Sequence, residues 1–381
     1  MRRLAGNDTI SLEKAEVKSM AVDLRRQNKT ICPREPVQMA VFAEVVLEGD
    51  KSAKQVETWA GRGDVNKNDK LDFVDFAFHS EQGQFDRDGW FAPNPNLLAT
   101  AGKEFEIKSV FRRRPDKFTF TTTYKPDYSC IKGAGGAGQP GQSGSAGSAG
   151  SAGKDGALGS TSSAGGPGGD GSTGTPGGTG GDGAAGPHLI AFATLVKTPF
   201  YDRLVAISIQ GDAEDFLLVP EGQAVTLRAT GGPGGHGGSG GAGGHGGAGG
   251  GGNPGGQGGK GGTGGHGGNG GNGGPGGTID LVYDARFPEL ASHIHLDVSG
   301  GSGGPAGAGG PGGGAGRGGS GMTPSGSSGQ SPPPAPKGAE GSEGSAGASG
   351  SAGHDGPSGR AASKPGDVKD KLRSGAEITV L

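Results

Sequence analysis

Residues 64–75 read DVNKNDKLDFVD, which sets Asp64, Asn66, Asn68, Asp72 and Asp75 at positions one, three, five, nine and twelve of a calcium-binding loop. A hard divalent cation takes six to eight oxygen ligands, and a tightly turned loop brings alternate side chains onto one point. The pattern departs from such a loop twice. Asp69 stands where the sharp turn needs glycine, and Asp75 is shorter than the bidentate glutamate of position twelve. The same letters also read as a polar turn before a strand, LDFVDFAFH. Histidine is the other metal-capable type. His236 and His245 share one ridge of a three-residue repeat and lie nine residues apart, roughly 28 Å at about 3.1 Å per residue, too far to chelate one ion together. A fold-back at Asn253 would bring His236 level with His266, as a metal pair or as two solvated imidazoles. His293 and His295 alternate in SHIHLDV, as two residues on one strand face do.

Other chemistry is missing its parts. The text has no GxSxG elbow, no HExxH and no carboxylate pair whose spacing singles it out. Its glycine tracts contain GxGxxG by chance, without the strand, helix and distant acid of a dinucleotide site. No catalytic, cofactor-binding or metal-ligand set is assigned, and no cofactor is implied.

The elements that would position these residues show in the composition. The chain has 381 residues, 90 of them Gly and 25 Pro. That much Gly and Pro without a period would signal disorder. The aromatic residues keep to two stretches, about 1–131 and 188–299, where ordinary cores can form. With 35 basic against 38 acidic residues and no basic stripe, nucleic acid is excluded as the expected partner. No run of eighteen apolar residues spans a membrane. The start, MRRLAGNDTISLEK, lacks the apolar run of a secretory signal, leaving another export route, a removed leader or internal residence. Cys32 and Cys130 bracket the first aromatic-rich stretch. They could clasp it as a disulfide in an oxidising compartment, or stand as two buried thiols.

Between the glycine tracts the text turns β-branched and alternating, as half-buried strands do. Residues 10–131 hold KAEVKSMAVDL, PVQMAVFAEVVL, KEFEIKSVFRR and KFTFTTTYK; residues 188–299 and the C-terminus hold HLIAFATLVK, DFLLVP, AVTLRAT, TIDLVYD and AEITVL. The expected fold class is all-β plus polyglycine II. Residues 1–132 form an immunoglobulin-like β-sandwich, and a small β module carries an antiparallel bundle of about six polyglycine II helices. Along the chain, residues 133–187 are the first tract, 188–230 the first part of the β module and 231–277 the second tract. Residues 278–299 are the second part of the module, 300–375 the third tract with a Pro-rich turn, and 376–381 a final strand.

The beat itself carries the argument. From Gly135 to Gly186 glycine holds every third position except at Ser162; from Gly231 to Gly277 it holds two registers of three except at Asn253. One pause per tract gives two rods each. A period of three at about 3.1 Å rise is polyproline II geometry, whose amides point outward with no internal partner. Rods packed side by side can bond amide to carbonyl if no side chain holds them apart, and a glycine ridge allows that. One bare ridge suits a peripheral rod and two suit a central one, so the 231–277 pair is expected at the centre and the 135–186 pair outside. On this reading the third letter need only be soluble. Ordering a residue costs about 1–2 kcal/mol, against about 1 kcal/mol net per hydrogen bond. The balance is close, so a packed bundle, flexible tracts and three-chain collagen-type assembly all fit the beat, and the spacing favours the bundle.

On these repeats the chain resembles the polyglycine II bundle proteins, a group that includes the snow flea antifreeze protein and the glycine-rich tip adhesins of phages. It is also similar to the collagen-like surface proteins of bacteria. The Asp64–Asp75 loop resembles a dockerin-type EF-hand repeat, with no second copy following. The bundle resemblance implies structural or adhesive work at a cell surface or outside the cell, without catalytic residues. Its expected partners are envelope or matrix components or copies of the chain itself. Binding of ice or glycan by a bundle face is the alternative, although Lys260, His236 and Asn269 interrupt any regular Ala or Thr ridge.

Overall fold

Alternating apolar residues build the N-terminal unit. In Val37–Val46 the residues Val37, Met39, Val41, Ala43 and Val45 are buried, as period-two patterning requires. In the computed structural model, which describes residues 9–10, 12–25, 28–58, 70–324, 333–372, 375 and 377–381, this strand is central. It pairs antiparallel with Glu16–Leu24, Lys54–Glu57 and Trp90–Pro93 in a seven-stranded sheet. A four-stranded sheet runs in the order Thr30–Ile31, Thr119–Pro126, Phe105–Phe111, Phe76–His79. Two apolar clusters draw on both sheets, one around Val41, Val45, Phe76 and Phe111, the other around Met39, Phe91, Phe105 and Tyr124.

The second unit is where the glycine segments begin and end. His188–Thr198 and Tyr201–Gly211 form an antiparallel hairpin extended by Asp215–Pro220. On its other side His188–Thr198 pairs parallel with Thr278–Asp284, which pairs parallel with Arg360–Gly366. A separate sheet of three parallel strands runs Gly133–Ala137, Val225–Thr230, Ile294–Asp297. Leu189, Leu195, Ile207 and Leu218 share one core with Val225, Leu227 and Ile294 of the smaller sheet. Leu97, Ala101, Tyr128 and Ile131 of the N-terminal unit join that core, so burial of about 25 cal/mol per Å² ties the two units together.

Polar contacts close the same junction. Arg34 donates to both carboxylate oxygens of Asp215 and to the Phe216 carbonyl. Tyr201 Oη donates to the Pro126 carbonyl at 2.8 Å. Cys32 and Cys130 form a disulfide across 98 residues, which decides between the two sequence readings. One half of it lies two residues before Arg34, the other three before Gly133.

Six segments carry the glycine beat: I (138–159), II (165–186), III (231–252), IV (255–277), V (300–321) and VI (338–359). Each donates backbone N–H groups to its neighbours at every third residue. Gly141 donates to Pro233 and Gly144 to His236, so I and III run parallel; Gly166 donates to Ala157 and Gly181 to Gln142, so I and II are antiparallel. The pattern repeats for II with IV, III with V and IV with VI in parallel, and for each consecutive pair in opposition. These contacts make a strip of triangles with I, III and V in one row and II, IV and VI in the other. Segments III and IV have four neighbours each, I and VI only two.

The rows continue the sheets. Gly133–Ala137, Val225–Thr230 and Ile294–Asp297 run into I, III and V; II, IV and VI run into His188–Thr198, Thr278–Asp284 and Arg360–Gly366. Neighbours in the sheet remain neighbours in the row. The strand ladders therefore set the register in which the glycine segments meet.

Candidate functional site

With no convergent catalytic set in the sequence, the surface made by the six segments is the site to build. Its first constraint is contact. A methyl added to Gly141 would overlap the Gly181 carbonyl, and one on Gly234 or Gly303 would overlap the carbonyl of Gly271 or Gly353. In each case the clash is with the next segment in sequence. The second glycine register clashes differently: methyls on Gly235, Gly259 and Gly341 would overlap the carbonyls of Gln142, Gly169 and Gly259, two segments back.

A rule follows from that geometry. A segment needs its first register bare if another segment follows it, and its second bare if two precede it. Segments III, IV and V need both registers, I and II only the first, VI only the second. The sequence complies: segment VI carries Glu340 and Glu343 in its first register, and segment II carries Ser172, Thr175 and Ala184 in its second. In segment II the nearest atom to an added methyl lies at 2.9 Å for Gly166, 3.0 Å for Gly178, 3.1 Å for Gly169 and 3.2 Å for Gly181, tighter than ordinary contact but far looser than the roughly 2 Å overlaps of the first register, and a shift of a few tenths of an ångström admits the side chains of Ser172, Thr175 and Ala184. Among the positions that must be bare, Ala306 and Ala315 alone carry a methyl, and nothing in the structure explains them.

The third register faces outward, and its letters do more than dissolve the protein. On the II–IV–VI face, Asp170 accepts the Lys260 amide at 2.7 Å and Asp182 accepts the Asn272 amide at 2.7 Å. His266 Nδ1 accepts the Ala348 amide, Asn269 Oδ1 the Ser351 amide and Asn272 Oδ1 the His354 amide, at 3.2, 2.9 and 3.0 Å. Asp182, Asn272 and His354 thus link three segments in one line. At the I/II edge, Ser172 and Thr175 accept the amides of Ser151 and Ser148. At the V/VI edge, Asp355 accepts the Gly303 amide at 2.8 Å. Outward amides are the groups the backbone packing leaves unpaired, and short polar side chains on the adjacent segment cover them. Proline, which has no N–H, stands at outward positions such as Pro233, Pro305 and Pro311.

The I–III–V face differs in chemistry. Ala146, Ser239 and Ala308 lie across its middle, followed by Ala149, Ala242 and Pro311. Two side-chain caps are formed here, Asp155 to the Ala248 amide at 2.8 Å and His245 Nδ1 to the Gly314 amide at 3.1 Å. One face of the slab is polar and densely capped, the other mostly Ala, Ser and Pro, interrupted by His236, His245 and the exposed Leu158.

The metal-capable residues of the sequence fall elsewhere than their spacing suggested. His236 lies on the I–III–V face and His266 on the II–IV–VI face, so the fold-back at Asn253 does not pair them. His293 ends the one-turn helix Leu290–His293, its Nδ1 2.9 Å from the Glu289 carbonyl, while His295 lies in the following strand. They do not share a strand face, because the chain turns between them. Asp64, Asn66 and Asn68 lie outside the described residues. Asp72 accepts the Val74 amide and Asp75 is paired with Arg113 at 3.0 Å. Among the described residues no group of three metal-capable side chains converges. A cleft of about 810 Å³ in the N-terminal unit is lined by Phe73, Phe78 and Phe85 with Asp72, Asp86 and Asp88. Asp86 in it accepts the amides of Asp88 and Trp90.

No helix among the described residues is long and apolar enough to cross a membrane. Compared with family models, curated proteins and solved structures, the chain gives no match.

Proposed function

We propose that this chain is a non-enzymatic structural or adhesive surface protein. Its N-terminal unit is an immunoglobulin-like domain, and its β module projects six polyglycine II helices as a stiff two-layer blade. The observation that carries this reading is the hydrogen-bond pattern, in which amides at every third residue bond to carbonyls of a neighbouring segment along the whole of each tract, and in segments III and IV both glycine registers do so. Three residues per turn with outward amides is what polyglycine II supplies, and the parallel strands feeding each row hold the segments in register. The Cys32–Cys130 disulfide supports an oxidising, extracellular setting. Such a protein works by shape: a blade of about 22 residues per segment would extend roughly 65–70 Å beyond its module, presenting two unlike faces to matrix components, envelope components or copies of itself. Small-angle scattering of the full chain tests this. A profile with a long, thin cross-section supports the blade; that of a flexible brush contradicts it.

The flat I–III–V face favours a second reading, in which its exposed Ala and Pro side chains bind an extended regular surface such as ice or a glycan. Thermal hysteresis and glycan-array binding, each with Ala242→Lys as the control, test it.

A further inference from the structure

The I–III–V face is built mostly of Ala, Ser and Pro, with His236 and His245 in its middle column and Leu158 exposed at its end, and its two opposite charges stand at one level. Asp155 accepts the Ala248 amide, and Gly249 donates to the Arg317 carbonyl, so Asp155, Ala248 and Arg317 form one row across segments I, III and V. Asp155 and Arg317 are exposed at the two sides of that row.

We infer that this face is the contact surface for a second copy of the chain, related by a two-fold axis running along segment III. That operation exchanges the flanking columns and leaves levels unchanged. It sets Asp155 of each copy over Arg317 of the other, and Ala242 over Ala242. A closed two-fold contact must be self-complementary, and a row with a carboxylate at one side, a methyl in the middle and a guanidinium at the other satisfies that requirement. Area supports the same occupant. Seven levels of three residues span about 65 Å and three segments about 15 Å. The product, roughly 1,000 Å² per copy, exceeds the ~800 Å² per partner of a standard interface. The opposite face would bury Thr, Asn and Asp side chains at a desolvation cost.

This inference rests on the blade reading above and names its partner. The test is sedimentation of the intact chain at physiological salt, with charge-reversal variants. The wild type is expected to dimerise, and Arg317→Asp and Asp155→Arg each to weaken association at least about tenfold. The double variant, with the two charges exchanged, is expected to recover it. Ala242→Cys should give a covalent dimer on oxidation, and Thr263→Cys on the other face should not. A wild type that stays monomeric up to its solubility limit overturns the proposal and leaves the face to ice or glycan. So do single reversals that leave association unchanged, or a Thr263→Cys variant that cross-links as efficiently as Ala242→Cys. Scattering on the same samples separates the two ideas, because a monomer that is still a long blade ends the dimer and leaves the blade standing.

Discussion

A methyl on Gly235 would overlap the carbonyl oxygen of Gln142, 93 residues earlier in the chain, whereas one on Gly181 would stand 3.2 Å from the amide nitrogen of the same Gln142. Two glycines of one repeat thus carry different obligations, set by where their segments lie in the slab. Gly235→Ala is expected to destabilise the bundle by about 1–3 kcal/mol, the usual cost of overpacking. Gly181→Ala should be tolerated, with a change within about 1 kcal/mol of zero, since alanine also restricts the unfolded chain. Thermal denaturation followed by circular dichroism checks the pair; equal effects would refute the register rule.

Asn272 uses both its groups, giving its amide to Asp182 and accepting the amide of His354 through Oδ1. Asn272→Ala removes the second bond and leaves the His354 amide to solvent. The expected loss is about 1 kcal/mol, together with faster hydrogen exchange at His354 and no change at Gly273, whose bond is to the His354 carbonyl.

The Cys32–Cys130 disulfide closes 98 residues, so the chain-entropy estimate of its contribution is about 4–5 kcal/mol. Reduction, or Cys130→Ser, is expected to lower the melting temperature of the N-terminal unit and loosen its seat on the β module. Near-UV circular dichroism, to which the Tyr128 and Tyr201 rings 5.6 Å apart contribute, compared between the chain and its Tyr201→Phe variant, reports on that junction.

Burial pushes the hydroxyls of Tyr124 and Tyr128 up to about 12 from 10. The folded state therefore holds two protons that the unfolded chain releases above pH 10. Their contribution should be constant below that pH and fall between about pH 10 and 12. At the acid end, bonds from Arg286 and then Thr194 hold the Asp284 carboxyl down at about 2 from 3.8. Its contribution is present above about pH 4 and is lost as pH falls toward 2. Denaturant titrations across both windows, with Tyr128→Phe and Asp284→Asn, check the two signs.

Much of this fold was legible in the sequence because its pattern is strict. Val37–Val46 and Phe105–Phe111 show period-two apolar alternation, and the structure places strands there. Two glycines in three between Gly231 and Gly277 correspond to segments III and IV, which have four neighbours each. Gly133–Ala137 and Arg360–Gly366 have no apolar alternation and read as part of the glycine tracts; they are strands because their neighbours in the sheets are. The reading of the outward letters as needing only solubility missed the caps. Asp170, Asp182, Asn269 and Asn272 recur at intervals that pair them with an amide on the adjacent segment. That regularity becomes visible only when the inter-segment register is known. The His236–His266 pairing failed for the same reason, because a fold-back does not say which face each segment takes, whereas His293 and His295 part because the chain turns between them.

Hydrogen exchange of individual backbone amides in the intact chain tests the central claim most directly. In segment III the amides of both glycine registers, such as Gly234 and Gly235, should be protected, and the third, such as His236 but not the Asp155-capped Ala248, should exchange freely. In segment I only one amide in three, the Gly141 register, bonds to a carbonyl of another segment, so protection there should fall on that register and on the capped amides of Ser148 and Ser151. Exchange across Gly231–Gly277 at the rate of an unstructured peptide, with no period of three, would contradict the account.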